Sequence, residues 1–183
     1  MSGKKKEIAL MLGIFVCALL LRLYAVNFLP LRDITDDAYE YNYVAQHLPQ
    51  AIRGEPLPDR DRFLALGAAR GWLYPLFIAG VYKTCGADPL NVRMLQAVID
   101  ALTCLLIYGI GRNMFGGKAG VIAGILSSLY PGFIYYSTML YQETTTIFLL
   151  TLLVFSLSRA FLRNRWYLYF ASGILLTVVT FYR

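Results

Sequence analysis

LNVRMLQAVIDALTCLLIYGIGRNM, residues 90–114, decides the fold. It is apolar over 25 residues, and a bilayer core of ~30 Å needs about 20 residues of helix. Asp88-Pro89 stands just before it, a capping side chain followed by the proline that the first helical position tolerates. Arg112 and Lys118 flank the turn after it. A polar stripe of Arg93, Gln96, Asp100 and Thr103 recurs at steps of three and four, on one side of that helix. An acid this far inside an apolar span faces a partner or a wet cavity. Two readings of the stripe stand side by side: polar packing between spans, or a functional site.

Outward from this segment the same pattern repeats. Residues 8–29 form a first apolar run behind Lys4, Lys5 and Lys6; it is too long for a cleaved signal and reads as an anchor. Arg22, near its far end, is expected to snorkel outward or to meet a lipid phosphate. Residues 119–137 form a third span with Gly120, Gly124 and Ser128 at four-residue spacing, a small face for close helix approach. Tyr130, Phe133, Tyr135, Tyr136 and Tyr141 follow as an interfacial aromatic belt. Spans at 144–162 and 166–183 complete the chain, with Arg159, Arg163 and Arg165 around the turn between them. The fold class is therefore all-α membrane protein, a single transmembrane domain over 1–183 with about five spans.

Residues 30–89 differ. They carry eight acids among several arginines. Ala38, Tyr41, Val44, Ala45 and Leu48 share one helical face opposite Tyr39, Glu40, Tyr43 and His47, so a short amphipathic helix is expected to lie on the membrane surface. Residues 54–61 read as a loop. Residues 71–86 are membrane-seeking, but about 11 residues after Pro75 cannot cross ~30 Å, which gives a second interfacial or re-entrant helix. With that helix not crossing, every basic cluster falls on the cytoplasmic side. The net charge of +6 thus reflects topology rather than nucleic-acid binding. The same parity gathers Asp36, Asp37 and Glu143 outside. Cys17, Cys85 and Cys104 have no metal-ligand spacing.

Those acids are the candidate chemistry. Asp37 and Glu40 resemble a capping box, and Glu143 a first-turn acid. Asp36 has no such structural duty and suits a general base that takes a proton from an attacking hydroxyl. Glu143 with the first patch offers hard oxygen ligands for a divalent cation, Mg or Mn, at Asp36 and Glu143, or orients a substrate. Arg70, Arg93 and Arg183 suit a lipid-linked phosphate, or serve simply as snorkelling and solvated charges.

Four stretches resemble the N-terminal part of GT-C-fold polytopic glycosyltransferases, the protein O-mannosyltransferases and lipid A aminoarabinose transferases among them. They are Asp36-Asp37-Ala38-Tyr39, Tyr74-Pro75-Leu76, residues 92–120, and LYPGFIYYSTMLYQET at 129–144. The resemblance implies a sugar donor on a polyprenyl phosphate, a protein or glycolipid acceptor, and transfer on the extracytoplasmic face. It implies Asp36 as the base with Asp37 beside it, Tyr39, Arg70, Arg93 and Glu143 around the substrate, and Glu143 as the second acid. The family usually has Glu where Asp37 stands. It also implies a longer enzyme, of which this chain is the N-terminal portion, seated among lipids in the plasma membrane of a prokaryote. The competing expectation is a non-enzymatic membrane assembly subunit or an inactive truncated product, to which the small-residue face and the Asp100 stripe lend themselves.

The orientation is testable. A cysteine placed at position 37 is expected to react with an impermeant maleimide added outside intact cells, and one at position 116 to stay unlabelled. The reverse pattern would overturn the orientation.

Overall fold

The computed structural model describes residues 3–29 and 36–182, with side chains over 5–29 and 37–182. Pro30–Thr35 and Arg183 lie outside it, as does the side chain of Asp36. The described residues form helices α1 (Gly3–Phe28), α2 (Asp36–Ile52), α3 (Arg60–Arg70), α4 (Leu73–Cys85), α5 (Pro89–Phe115), α6 (Gly117–Leu129), α7 (Pro131–Thr138), α8 (Glu143–Arg163) and α9 (Trp166–Tyr182). The chain is an all-α membrane protein. Three helices, at Lys5–Phe28, Pro89–Phe115 and Glu143–Arg163, are long and apolar enough to cross a bilayer; the number rises to five if two bent pairs each count as one span.

The stretch read as a third span is one of those pairs. α6 and α7 meet at 47° around Tyr130-Pro131. Pro131 has no N–H to offer the Ser127 carbonyl four residues earlier, so the ladder breaks there. The other pair, α3 and α4, turns through 115° at Gly71, whose φ of +75° suits glycine. α4 has 13 residues, about 20 Å, short of the ~30 Å a crossing needs. α9 is apolar but has only 17 residues, about 25 Å.

α5 is the hub. It packs against α1, α6, α7 and α8, and touches α4. Its start is built as expected: the Asp88 carboxylate accepts the Leu90 N–H at 2.8 Å and Pro89 takes the first position. The small face of α6 does bring helices close. A Cβ on Gly120 would stand 2.8 Å from the Tyr108 carbonyl oxygen of α5, and one on Gly124 2.9 Å from Ile14 of α1. Below the bend, Ile14, Ala18, Ala101, Cys104 and Tyr108 form one apolar cluster.

Arg22 corrects an expectation. It does not snorkel; it is fully buried and points into the α1–α5–α6 junction. Its Nε donates to Asp100 Oδ2 at 2.6 Å, Nη1 to the Ser128 carbonyl at 2.6 Å and the Ala18 carbonyl at 3.1 Å, and Nη2 to the Ser127 carbonyl at 3.2 Å. The physical reason is the proline. Breaking α6 leaves the Ser128 carbonyl without a helical donor and the Ser127 carbonyl only a long one from the Tyr130 N–H, in an apolar interior where an unsatisfied group costs several kcal/mol. A guanidinium with five donors supplies two of them at once, and Asp100 neutralises it.

The amphipathic helix α2 buries Ala38, Tyr41, Val44, Ala45 and Leu48, the face read from the sequence, against α4 and α3. The loop read at 54–61 is irregular up to Asp59, and α3 follows it over residues for which the sequence reading gave no element. The Asp59 carboxylate accepts the Arg62 N–H at 2.9 Å and starts it, and Phe63 and Gly67 are its buried side. At one end of the bundle, Val92 of α5, Leu140 and Tyr182 of α9 join the α2–α4 core. At the other end, Glu7 of α1 pairs with Arg112 of α5.

The Arg22–Asp100 pair predicts a specific stability pattern. Arg22→Met leaves Asp100 and the Ser128 carbonyl unpaired and is expected to cost about 3–5 kcal/mol. Arg22→Met with Asp100→Leu is expected to lose less than the sum of the single variants, as a thermal-unfolding double-mutant cycle in detergent reads directly. Additive losses would contradict the coupling.

Candidate functional site

The acidic end is organised around Tyr41. Its side chain sits on the inner face of α2, buried, with its ring edge-on to Tyr74 of α4 at 4.9 Å between centroids. Tyr74 is itself buried and lies 6.4 Å from the Tyr182 ring at the end of α9. Charges from three segments act on the Tyr41 hydroxyl. Burial pushes its pKa up to about 12, and the negative charges of Glu143, Asp37 and Glu40 push the same way against the pull of Arg70. Asp37 and Glu40 come from α2, Arg70 from the end of α3, and Glu143 from the start of α8. Four charges from three segments far apart in sequence thus share one electrostatic neighbourhood.

The capping box expected of Asp37 and Glu40 gives way to an ion cluster. α2 already begins at Asp36, so Asp37 lies inside the helix rather than capping it. Arg70 Nε donates to Glu40 Oε2 at 2.6 Å, and Arg70 Nη2 donates to Asp37 Oδ1. The fork geometry of a guanidinium suits two carboxylates one turn apart on a helix. The cluster is half-exposed, so it is open to solvent.

The remaining expected residues are placed as follows. Glu143 opens α8 and is half-buried. Tyr39 is exposed beside the cluster; Arg62 lies over its ring at 5.6 Å and over that of Tyr43 at 5.0 Å. Arg93 is buried at the start of α5, and its charge acts on Tyr82, whose hydroxyl donates to Asn42 Oδ1 at 2.6 Å. The structure therefore brings Asp37, Arg70 and Glu143 together around Tyr41, with Tyr39 at the edge and Arg93 on a neighbouring contact. Asp36 opens α2, but its side chain lies outside the described residues, as does Arg183. Among the described residues no group of three or more His, Cys, Asp or Glu side chains gathers to hold a metal ion.

Sequence reading did not single out Gln96 and Tyr74 together, although both are fully buried. Gln96 Nε2 donates to the Tyr141 carbonyl at 3.1 Å, and the Tyr74 hydroxyl faces Gln96 Oε1 at 3.4 Å. The available signal was the polar stripe on α5: Gln96 lies one turn from Asp100, on the same helix face.

Fold and site define a polytopic α-helical membrane protein with an acidic, aromatic-lined site at one end of its bundle. The chain belongs to the dolichyl-phosphate-mannose-protein mannosyltransferase family, which it matches over residues 69–183, more than half its length. It is thus a member of a membrane glycosyltransferase family. The match includes Arg70, Arg93, Gln96 and Glu143 and begins after α2, so Asp36, Asp37 and Tyr39 stand outside it. No curated protein and no solved structure matches the chain.

Tyr41 gives a pH prediction. Its folded pKa is raised from 10.0 to about 12, so the stability that goes with its neutral phenol is present below pH 10 and is lost as pH rises through about 12. Tyr41→Phe is expected to remove one of the late-titrating phenols from the 295 nm absorbance titration of the folded protein. An unchanged titration above pH 11 would place Tyr41 in water.

Proposed function

We propose that the chain forms the acceptor-side acidic site of a glycosyltransferase that moves a sugar from a polyprenyl phosphate to a hydroxyl on the extracytoplasmic face. The observation that carries this reading is the convergence of Asp37, Glu40, Arg70 and Glu143 on Tyr41 at the end of the bundle opposite the Glu7–Arg112 pair. An acidic site at a bilayer edge is where a water-exposed hydroxyl can meet a donor whose tail stays in the lipid.

In this reading Asp36, at the head of α2, is the general base. It takes the acceptor hydroxyl proton as the oxygen attacks the anomeric carbon. The bond from that carbon to the phosphate oxygen breaks, and the electron pair leaves with the polyprenyl phosphate. Asp37 is held on Arg70, and so fixes the first turn of α2 that carries Asp36. The neutral Tyr41 phenol keeps a hydrogen-bond donor beside the acids, and Tyr39 offers an exposed ring to a sugar face. Arg93 is the candidate phosphate partner within the matched region. The acceptor class is protein or glycolipid, and the membrane is the plasma membrane. Asp36 and Glu143 are also the proposed ligands for a divalent cation, Mg or Mn.

Asp36→Asn in the full-length protein is expected to lower sugar transfer by about 10²–10⁴-fold, the usual contribution of a general base, while expression and membrane insertion are unchanged. Transfer at the wild-type rate in that variant would remove Asp36 from the base role. The same assay run with EDTA and then with added Mg or Mn reads the cation: transfer arrested and restored supports it, and transfer indifferent to chelation removes it.

A further inference from the structure

Two acid-bearing segments meet at the site: the short helix α2, and the first turn of the α8 span, which carries Glu143. α2 lies on the surface of the bundle, and Glu143 follows the irregular residues 139–142 between α7 and α8. One side chain reaches toward both from below. Gln96 is wholly buried on α5, one turn above Asp100, which Arg22 anchors. Its amide is oriented by its partners: a carbonyl can only accept, so the NH₂ group faces Tyr141 and the oxygen faces the Tyr74 hydroxyl. Tyr141 lies two residues before Glu143. Tyr74 lies edge-on against Tyr41, one residue after Glu40 on α2.

We propose that Gln96 is a positioning residue that sets the separation between the α2 carboxylates and Glu143. This rests on the glycosyltransferase reading for its consequence in catalysis, but not for its geometry. A primary amide can donate to one segment and accept from the other at once. No apolar residue of the same volume does either, and an aspartate-length side chain falls short by a methylene. The amide therefore ties the Glu143 loop and, through Tyr74 and Tyr41, the α2 helix to a single point on the most heavily packed helix of the bundle. The Tyr74 contact is long for a hydroxyl bond, so the Tyr141 bond is the firmer arm.

The test uses Gln96→Met, which keeps the volume and removes both arms, and Tyr74→Phe, which removes only the weaker one. In full-length protein, spin labels on cysteines introduced at Gln46 and Leu150, both exposed, report the α2-to-α8 distance after the three native cysteines are replaced with alanine. Gln96→Met is expected to broaden that distance distribution and to lower kcat by about tenfold or more, with KM for donor and acceptor changed less than about threefold. Tyr74→Phe is expected to do the same to a smaller degree. A general loss of structure would instead raise KM or abolish insertion together with kcat, and that outcome counts against a positioning role, as does a wild-type distance distribution in both variants. If the wild-type protein transfers no sugar, the functional reading fails, and the distance measurement alone then decides the role of Gln96.

Discussion

A charged side chain inside an apolar bundle is the constraint on which the rest of this structure depends. Pro131 breaks α6, and the break leaves the Ser128 carbonyl without a helical donor and the Ser127 carbonyl with only a long bond, 3.4 Å, from the Tyr130 N–H. In water they would be hydrated. Between packed apolar helices they need a protein donor, and Arg22 is the one that arrives, with Asp100 balancing its charge. The ion pair ties α1 and α5 to the end of α6. Because α5 is the hub, fixing it at Asp100 fixes the level at which its polar stripe meets the acidic end.

That end is built on a different principle. α2, α3 and α4 are each too short to span and are held by side-chain chemistry at one end of the bundle. Arg70 binds Asp37 and Glu40 in a fork, and the rings of Tyr41, Tyr74 and Tyr182 pack edge-on to one another beside it. The half-exposed cluster contributes little to stability, as ion pairs open to water generally do. It does hold several like charges within reach of one phenol without driving them apart. A site that gathers carboxylates needs such a counter-charge, and Arg70 is placed to provide it.

The two principles meet at Gln96. Above it lie the acid-bearing segments; one turn below it lies the buried ion pair. The proposed reaction keeps a lipid tail in the bilayer and a hydroxyl in water while their reacting atoms come within bonding distance. A rigid central helix with graded polarity answers that demand: apolar on its packed faces, ionic at mid-depth, amide-bearing near the surface. The family match, which runs from the end of α3 to the end of the chain, covers this helix in full.

Much of this was legible in the sequence. Apolar length and flanking charge marked α1, α5 and α8. Asp88-Pro89 marked the start of α5, and the Gly120–Gly124–Ser128 spacing marked the close approach of α6. The buried face of α2 followed from its 3.6-residue period. These features are local, set by the rise of a helix and the thickness of a bilayer. The partners of charged groups were not legible. Arg22 read as a snorkelling residue because sequence shows its distance from a span end but not the stranded carbonyls of a helix more than a hundred residues away. Asp37 and Glu40 read as a cap because their spacing fits one, whereas Arg70 reaches them only after α3 folds back. Sequence by itself determined most of the helical segments, though not α3 or the break between α6 and α7, and which of them seek the membrane. Only the tertiary structure decided which charge meets which, because long-range electrostatic pairing depends on where helices cross, and no local period encodes that.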